Sequence, residues 1–191
     1  MKKIRIGSKI PVYPMPVALI GAHVDNKPNF LTVAWWSMVN FKPPLIALVI
    51  NKGHYTNRGI KENKTFSVNI PSADMVKATD YCSVVSGFEK DKSKLFKIFY
   101  GELTTAPMIE ESPLSCECKL IQTVEFASHE VFIGEIVNTY SEEQYLTHER
   151  PDIKKINPIL YSMYDNNYWN LGEHIGIAMH VGKNYKQKSK Q

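Results

Sequence analysis

Three stretches of this sequence carry residue types that could do chemistry. In Asn51-Lys52-Gly53-His54-Tyr55-Thr56-Asn57-Arg58 a β-prone run ends and helix-compatible residues begin. The free N–H groups and the dipole of a helix start favour an anion. Thr56, Asn57 and Arg58 would add donors, so a phosphate suits this place; Thr56 as a plain helix cap and Arg58 as a solvated charge is the competing reading. In Ser83-Val84-Val85-Ser86-Gly87-Phe88-Glu89-Lys90-Asp91-Lys92-Ser93, a turn with hydroxyl donors and charges precedes an apolar segment. Lys92 there is either a second phosphate ligand or one more solvated loop charge. In Pro28-Asn29-Phe30-Leu31-Thr32-Val33-Ala34-Trp35-Trp36-Ser37, two adjacent indoles sit in a β-prone run. Neighbouring strand residues face opposite ways. One tryptophan can therefore enter the core while the other forms a platform for a planar ligand, unless both pack in cores or a subunit contact.

Other chemistries lack their residues. The six histidines show no HExxH or other close pairing, and His129, alone at the start of a strand, reads as a surface or satisfied histidine. Cys116-Glu117-Cys118 has no companion pair for zinc, and on a strand both thiols share one face as small buried hydrophobes. No GxSxG elbow, GxGxxG after a strand or GxxxxGK[ST] occurs, so no metal site, hydrolytic nucleophile, dinucleotide fold or P-loop is expected.

The elements that must position these residues follow from punctuation. Val17 to Val24, Phe30 to Phe41 and Leu45 to Asn51 read as strands, bounded by the turn Asp25-Asn26-Lys27-Pro28 and by Pro43-Pro44. Thr56 opens a short helix over Asn57 to Asn63. Thr65 to Ile70 alternates as a half-buried strand ending at Pro71. Residues 74–83 and 92–99 are predicted to be helical insertions. Leu114 to Phe126 and His129 to Tyr140 form a long hairpin, and Ile159 to Met163 and Trp169 to Ala178 add a strand and a closing segment. Many strands with short helical insertions predict a mainly β fold, an antiparallel barrel, because closure removes exposed edges.

At 191 residues, with 43% apolar and 22% charged side chains, the chain is of single-domain size and able to bury a core. Its apolar runs fall far short of the roughly 20 residues of a membrane span, and no signal-peptide pattern opens it. Three cysteines, an odd number, argue for reduced thiols and the cytoplasm. The net charge of +4 resides in Lys183, Lys186, Lys188 and Lys190, which makes residues 183–191 a basic, frayed tail to a domain over 1–182. Such a tail is no folded basic face, so neither nucleic acid nor membrane is expected as a partner.

Taken together the segments resemble the flavin reductase-like, FMN-binding split-barrel family, and within it the flavoredoxin branch. The likeness is carried in order by Pro16-Val17-Ala18-Leu19-Ile20-Gly21-Ala22, Asn29 with Thr32 to Ser37, Lys42-Pro43-Pro44-Leu45-Ile46-Ala47, and Tyr55-Thr56-Asn57. It continues through Phe66 to Pro71, Thr79-Asp80-Tyr81-Cys82, Ser86-Gly87, Asp91-Lys92-Ser93, His129 to Glu135 and Tyr168-Trp169. Members often carry glycine after the cysteine of the helical insertion, where this chain has Ser83. The resemblance implies an antiparallel Greek-key split barrel that forms a homodimer with FMN near the subunit contact. By the same resemblance, Asn29, Thr32, Ala34, Trp35, Trp36 and Ser37 would line the ribityl chain and ring. Asn51, Tyr55, Thr56 and Ser86 would reach the phosphate end, where Lys92 adds its charge. His129 and Trp169 would approach the flavin, from this chain or from the partner subunit. The implied function is an oxidoreductase that passes electrons or hydride from NADH, NADPH or an iron–sulfur donor through FMN to an acceptor. The alternative is an electron carrier with no pyridine nucleotide site of its own.

Overall fold

The computed structural model describes residues 2–183 and 185. Lys186, Lys188 and Lys190 of the basic tail lie outside the described residues. The chain runs β1 (Met15–Pro16), β2 (Ala18–Val24), β3 (Lys27–Val33), β4 (Trp36–Asn40), β5 (Leu45–Asn51), α1 (Thr56–Asn63), β6 (Thr65–Ile70), α2 (Val76–Val84), β7 (Ile98–Phe99) and β8 (Met108–Ile109). It continues as β9 (Leu114–Glu125), β10 (His129–Ser141), β11 (Leu146–Thr147), β12 (Arg150–Pro151), α3 (Ile153–Ile156), β13 (Leu160–Ser162) and β14 (Asn167–Trp169).

Seven strands make one antiparallel sheet in the order β3-β2-β6-β9-β10-β5-β4. The order places β6, β9 and β10 between the two hairpins β2-β3 and β4-β5. The edge strands β3 and β4 do not pair with each other; only the Trp35 carbonyl, between them, accepts from Val49 N–H at 2.8 Å. This is the mainly β, antiparallel split barrel that the sequence predicts. The β2-β3 reversal uses two residues, Asp25 and Asn26, at φ 50° and 62°. Asp and Asn tolerate this left-handed backbone, which a tight hairpin turn requires. A smaller sheet, β1-β13-β14, stands apart.

Strand β2 is buried on both faces. Its Ala18, Ile20 and Ala22 join Leu48, Phe66, Val68 and Phe132 in the main core, which α1 closes with Ile60. Its Leu19 faces a second core with Phe30, Cys82 and Ile109, beneath α2 and the 98–109 segment. Burial on two sides explains why Val17 to Val24 reads as a continuous apolar run rather than an alternating one. No helix among the described residues is long and apolar enough to cross a membrane.

Two expectations are corrected. The run Phe30 to Phe41 is not one strand: it breaks at Ala34-Trp35, where the chain leaves β3 and enters β4. No helix forms over residues 92–99, which are turns followed by β7. Lys92 is pinned by its own side chain to the carbonyls of Phe30 and Cys82, and Asp91 accepts from Ser93 N–H at 2.8 Å, a local bond that competes with a helix. Phe96 then packs edge to face on Phe30 at 5.3 Å instead of along a helix side.

Candidate functional site

The end of β5, the start of α1, the outer residues of β3 and the loop after α2 meet around a groove. One part, about 200 Å³, lies between Thr32, Ala34 and Trp35 on one side and Val49, Asn51 and His129 on the other. A second part, about 240 Å³, is framed by Tyr55, Thr56, Ser86, Gly87 and Lys92. Leu31 and His54 line both, so the two are continuous.

The first part is the flat one. Trp35 and His129 stack at 5.1 Å with planes 18° apart. The His129 Nδ1 is 2.8 Å from Ser128 Oγ, which fixes the ring's orientation. Trp36, the next residue, points the other way: it packs against the main core and its indole N–H donates to the Pro16 carbonyl at 2.9 Å. The two tryptophans thus part, one to the core and one to the groove, because Trp35 lies in the break between β3 and β4 while Trp36 opens β4, and not because both share one pleated strand as expected. Thr32 donates to the Thr79 carbonyl at 2.5 Å and so ties β3 to α2.

The second part lies at the start of α1. No side chain caps α1, which corrects the expectation that Thr56 does so. The buried Thr56 hydroxyl accepts instead from the Asn29 amide at 2.8 Å, while Asn57 N–H and Arg58 N–H donate to the His54 and Tyr55 carbonyls at 3.2 and 3.3 Å. Gly87 lies so close that a Cβ there would fall 2.0 Å from Asn29 Oδ1, so a larger residue would push the Asn29 side chain aside. Ser83 sits inside α2 with its hydroxyl on the Asp80 carbonyl at 2.7 Å, so the helix needs no glycine after Cys82.

Lys92 decides the electrostatics. Its side chain is 97% buried and donates to Phe30 O at 2.8 Å and Cys82 O at 3.3 Å, which leaves one of three protons unspent. No carboxylate pairs with it among the described residues. Burial lowers its pKa and pushes the neighbouring Cys82 thiol up to about 11, so that thiol supplies no counter-charge. No Asp or Glu lines either part of the groove. An isolated buried ammonium is costly unless paired.

His54, quoted in the sequence motif but not chosen there, is the residue at the junction. Burial lowers its pKa, with Lys92 and then His129 adding to the effect. Its signal in the sequence was position alone, at the strand end two residues before the helix. Arg58 is turned away: it binds Asp25 at 2.6 Å, beside the Tyr55 hydroxyl on the same carboxylate. Ser37 and Trp169 do not line the groove of this chain. Ser37 is exposed on β4, and Trp169, 56% exposed, bonds Ser162 in the small sheet.

The groove thus offers a buried ammonium beside a helix start at one end, the polar side chains of Thr32 and Asn51 along it, and the flat Trp35 at the other end, which are groups that a flavin mononucleotide would need.

The wider comparisons agree with this fold. The family model described as "Flavin reductase like domain" matches residues 10–166. The crystal structure of flavoredoxin from Methanosarcina acetivorans is 51% identical and superposes with a TM-score of 0.94, covering 96% of this chain and 98% of that one. Flavoredoxin of Desulfovibrio vulgaris (Miyazaki F) is 35% identical with a TM-score of 0.87, over 96% of this chain and all of its own. An FMN-binding protein from Thermus thermophilus, 24% identical with a TM-score of 0.78 over 93% and 99% of the two chains, shares the fold.

Proposed function

This chain belongs to the flavin reductase-like domain family, and from that premise we propose that it is an FMN-binding oxidoreductase, with the groove as its flavin site. The observation that carries the reading is Lys92, a buried ammonium with no carboxylate partner, facing a carboxylate-free groove beside an uncapped helix. Thr56, Tyr55, Ser86 and Lys92 hold the phosphate. Asn29, Thr32 and Asn51 hold the ribityl hydroxyls. Trp35 and Ala34 support the ring, and His129 stands where it can shape the approach of a donor. Trp36 and Ser37 act through the backbone of their strand. Trp169 acts from a second copy, in a homodimer.

When bound, FMN supplies the redox chemistry. The protein's share is to orient the ring, keep one face open and set its potential through nearby charge. The buried ammonium of Lys92 favours the more negative, reduced flavin. The three cysteines are free and buried, which supports work in a reducing compartment such as the cytoplasm.

A second reading, an electron carrier that takes electrons only from protein partners, is favoured by the likeness to two flavoredoxins. One experiment separates them. The purified chain, loaded with FMN, is titrated anaerobically with NADH, with NADPH and with a reduced iron–sulfur protein while the visible spectrum is followed. Bleaching by a nicotinamide supports the reductase; bleaching only by the protein donor supports the carrier. A colourless chain that takes up no added FMN defeats both.

A further inference from the structure

The opposite end of the β9-β10 hairpin carries the mirror image of the Lys92 problem. Glu117 is fully buried and accepts from Leu103 N–H at 2.6 Å, Tyr140 hydroxyl at 2.7 Å, Glu102 N–H at 3.0 Å and the Asn138 amide at 3.1 Å. All four donors are neutral. No Lys or Arg pairs with Glu117 among the described residues. Burial alone would raise this carboxyl's pKa, but the Leu103 N–H, the Tyr140 hydroxyl and the other donors outweigh it and hold it below the usual range. A fixed negative charge therefore sits one hydrogen bond behind Tyr140.

In front of Tyr140 is a cavity of about 260 Å³. Its walls are Tyr140 and Phe99, which meet edge to face at 5.6 Å. Ser115 and Ser112 form its buried floor, and the exposed Glu110 and Glu142 stand at its rim. The Ser115 hydroxyl, on a residue 99% buried, has no hydrogen-bond partner. Ser112 spends its proton on the Ile70 carbonyl at 2.8 Å and so offers the cavity only lone pairs. No lysine or arginine lines the cavity. Its polar lining is rich in acceptors and backed by three carboxylates, while its walls are aromatic. An ammonium has three donors, no acceptor and an alkyl stem that lies well along rings.

We propose that this cavity is a second binding site that takes a primary alkylammonium group, with the ammonium donating to Ser115 Oγ and the stem between Phe99 and Tyr140. The site stands about eleven residues along β10 from His129, roughly 35 Å at a strand's rise of about 3.3 Å per residue, and owes nothing to the flavin groove. The same chemistry is offered by a free amine and by a lysine side chain of a protein.

The test is calorimetric titration of the full chain, in the presence of FMN, with butan-1-amine, 1,4-diaminobutane, Nα-acetyl-lysine amide and the uncharged butan-1-ol. Saturable binding of the ammonium probes and none of the alcohol is expected. Tightest binding of the diamine assigns a free amine, and tightest binding of the lysine derivative assigns a protein partner. Ser115→Ala, which removes a hydroxyl that bonds nothing, and the double variant Glu110→Gln/Glu142→Gln should each weaken binding at least fivefold. Flavin absorbance, read in the same samples, should not change. No saturable binding up to ~10 mM, binding of the alcohol as tight as of the amines, or affinity unchanged in either variant overturns the proposal. A failure to bind FMN would leave the amine titration readable.

Discussion

Lys92 and Thr56 act on one ligand by different means, and their substitutions should differ in kind. Lys92→Met removes a buried, charge-assisted contact and Thr56→Ala removes a buried hydroxyl that Asn29 also uses. Each should weaken FMN binding by about 1–3 kcal/mol. Riboflavin, which has no phosphate, should lose far less in Lys92→Met; fluorescence-quenching titrations of both ligands check this, and equal losses would move the phosphate elsewhere. Histidine protonation gives a second residue-scale prediction. Burial lowers the pKa of His23, and burial with Lys92 and His129 lowers that of His54, relative to the unfolded chain. Above an unfolded value of about 6.5 both states are neutral and nothing is lost. As pH falls below it, the unfolded chain takes up protons that the fold refuses, so stability declines until the folded values are passed. The urea midpoint of the flavin-free chain should therefore fall between pH 7.5 and 5.5, and His54→Gln should shrink that fall. Bound FMN should oppose it, because an anion beside His54 makes its protonation easier.

Helix α1 presents its first turn to the groove because it lies tightly on the β2-β3 hairpin. A Cβ at Gly59 would come within 2.1 Å of the His23 carbonyl oxygen, which is backbone and cannot swing aside. Gly59→Ala must lift the helix off β2, and should cost about 1–3 kcal/mol of stability, read as a lower urea midpoint at unchanged slope. FMN affinity should fall with it, since Thr56 moves with the helix. The elements themselves were legible where one physical signal dominates. Asp25-Asn26 fixes a hairpin, and Thr65 to Ile70 is a strand, although its polar face is buried too and not solvated as the alternation suggests; Trp35 and Trp36 part at the break between β3 and β4. Residues 92–99 misled because Leu95, Phe96 and Phe99 fit a helical stripe, whereas a long-range bond from Lys92 to Phe30 and Cys82 decides their path. No local pattern carries that information. Thr56 misled for a similar reason: the residue type is right for a cap, but Asn29, distant in sequence, claims its hydroxyl. The motifs name Thr32, Trp35, Thr56 and Lys92 of the groove's lining but also Asn29, Ser37 and Trp169, which do not line it, and its charge balance, with the place of His54, appears only once the loop after α2 folds over.

At the scale of the molecule, the single chain leaves many large apolar side chains exposed. Edge strand β4 exposes Met38, Val39 and, just beyond it, Phe41, which is 82% exposed. No charged residue lies between Trp36 and Phe41 to guard that edge, as isolated edges usually require. The segment after β14 carries Ile175, Ile177, Met179 and Val181 on alternate residues, with Ile175 96% exposed, and the described residues from 177 to 185 bond only one another through their backbones. The amino-terminal segment exposes Ile4 and Ile6 as well. At about 100 Å² for each large apolar side chain these nine amount to roughly 900 Å². That total is of the order of the ~800 Å² that each partner buries in a stable complex. The proposed homodimer accounts for it, with β4 and the carboxy-terminal arm as two halves of a self-complementary contact. Sedimentation of the full chain should show a dimer. Phe41→Asp, and separately Ile175→Asp/Ile177→Asp, should raise its dissociation constant at least tenfold while leaving the far-ultraviolet spectrum unchanged, because these side chains are exposed within one chain. If Trp169 reaches the partner's flavin, FMN affinity should fall in step with dissociation and recover at high protein concentration. A monomeric parent chain, or a dimer indifferent to both variants, would leave the flavin site intact but return Trp169 to a purely structural part in the small sheet.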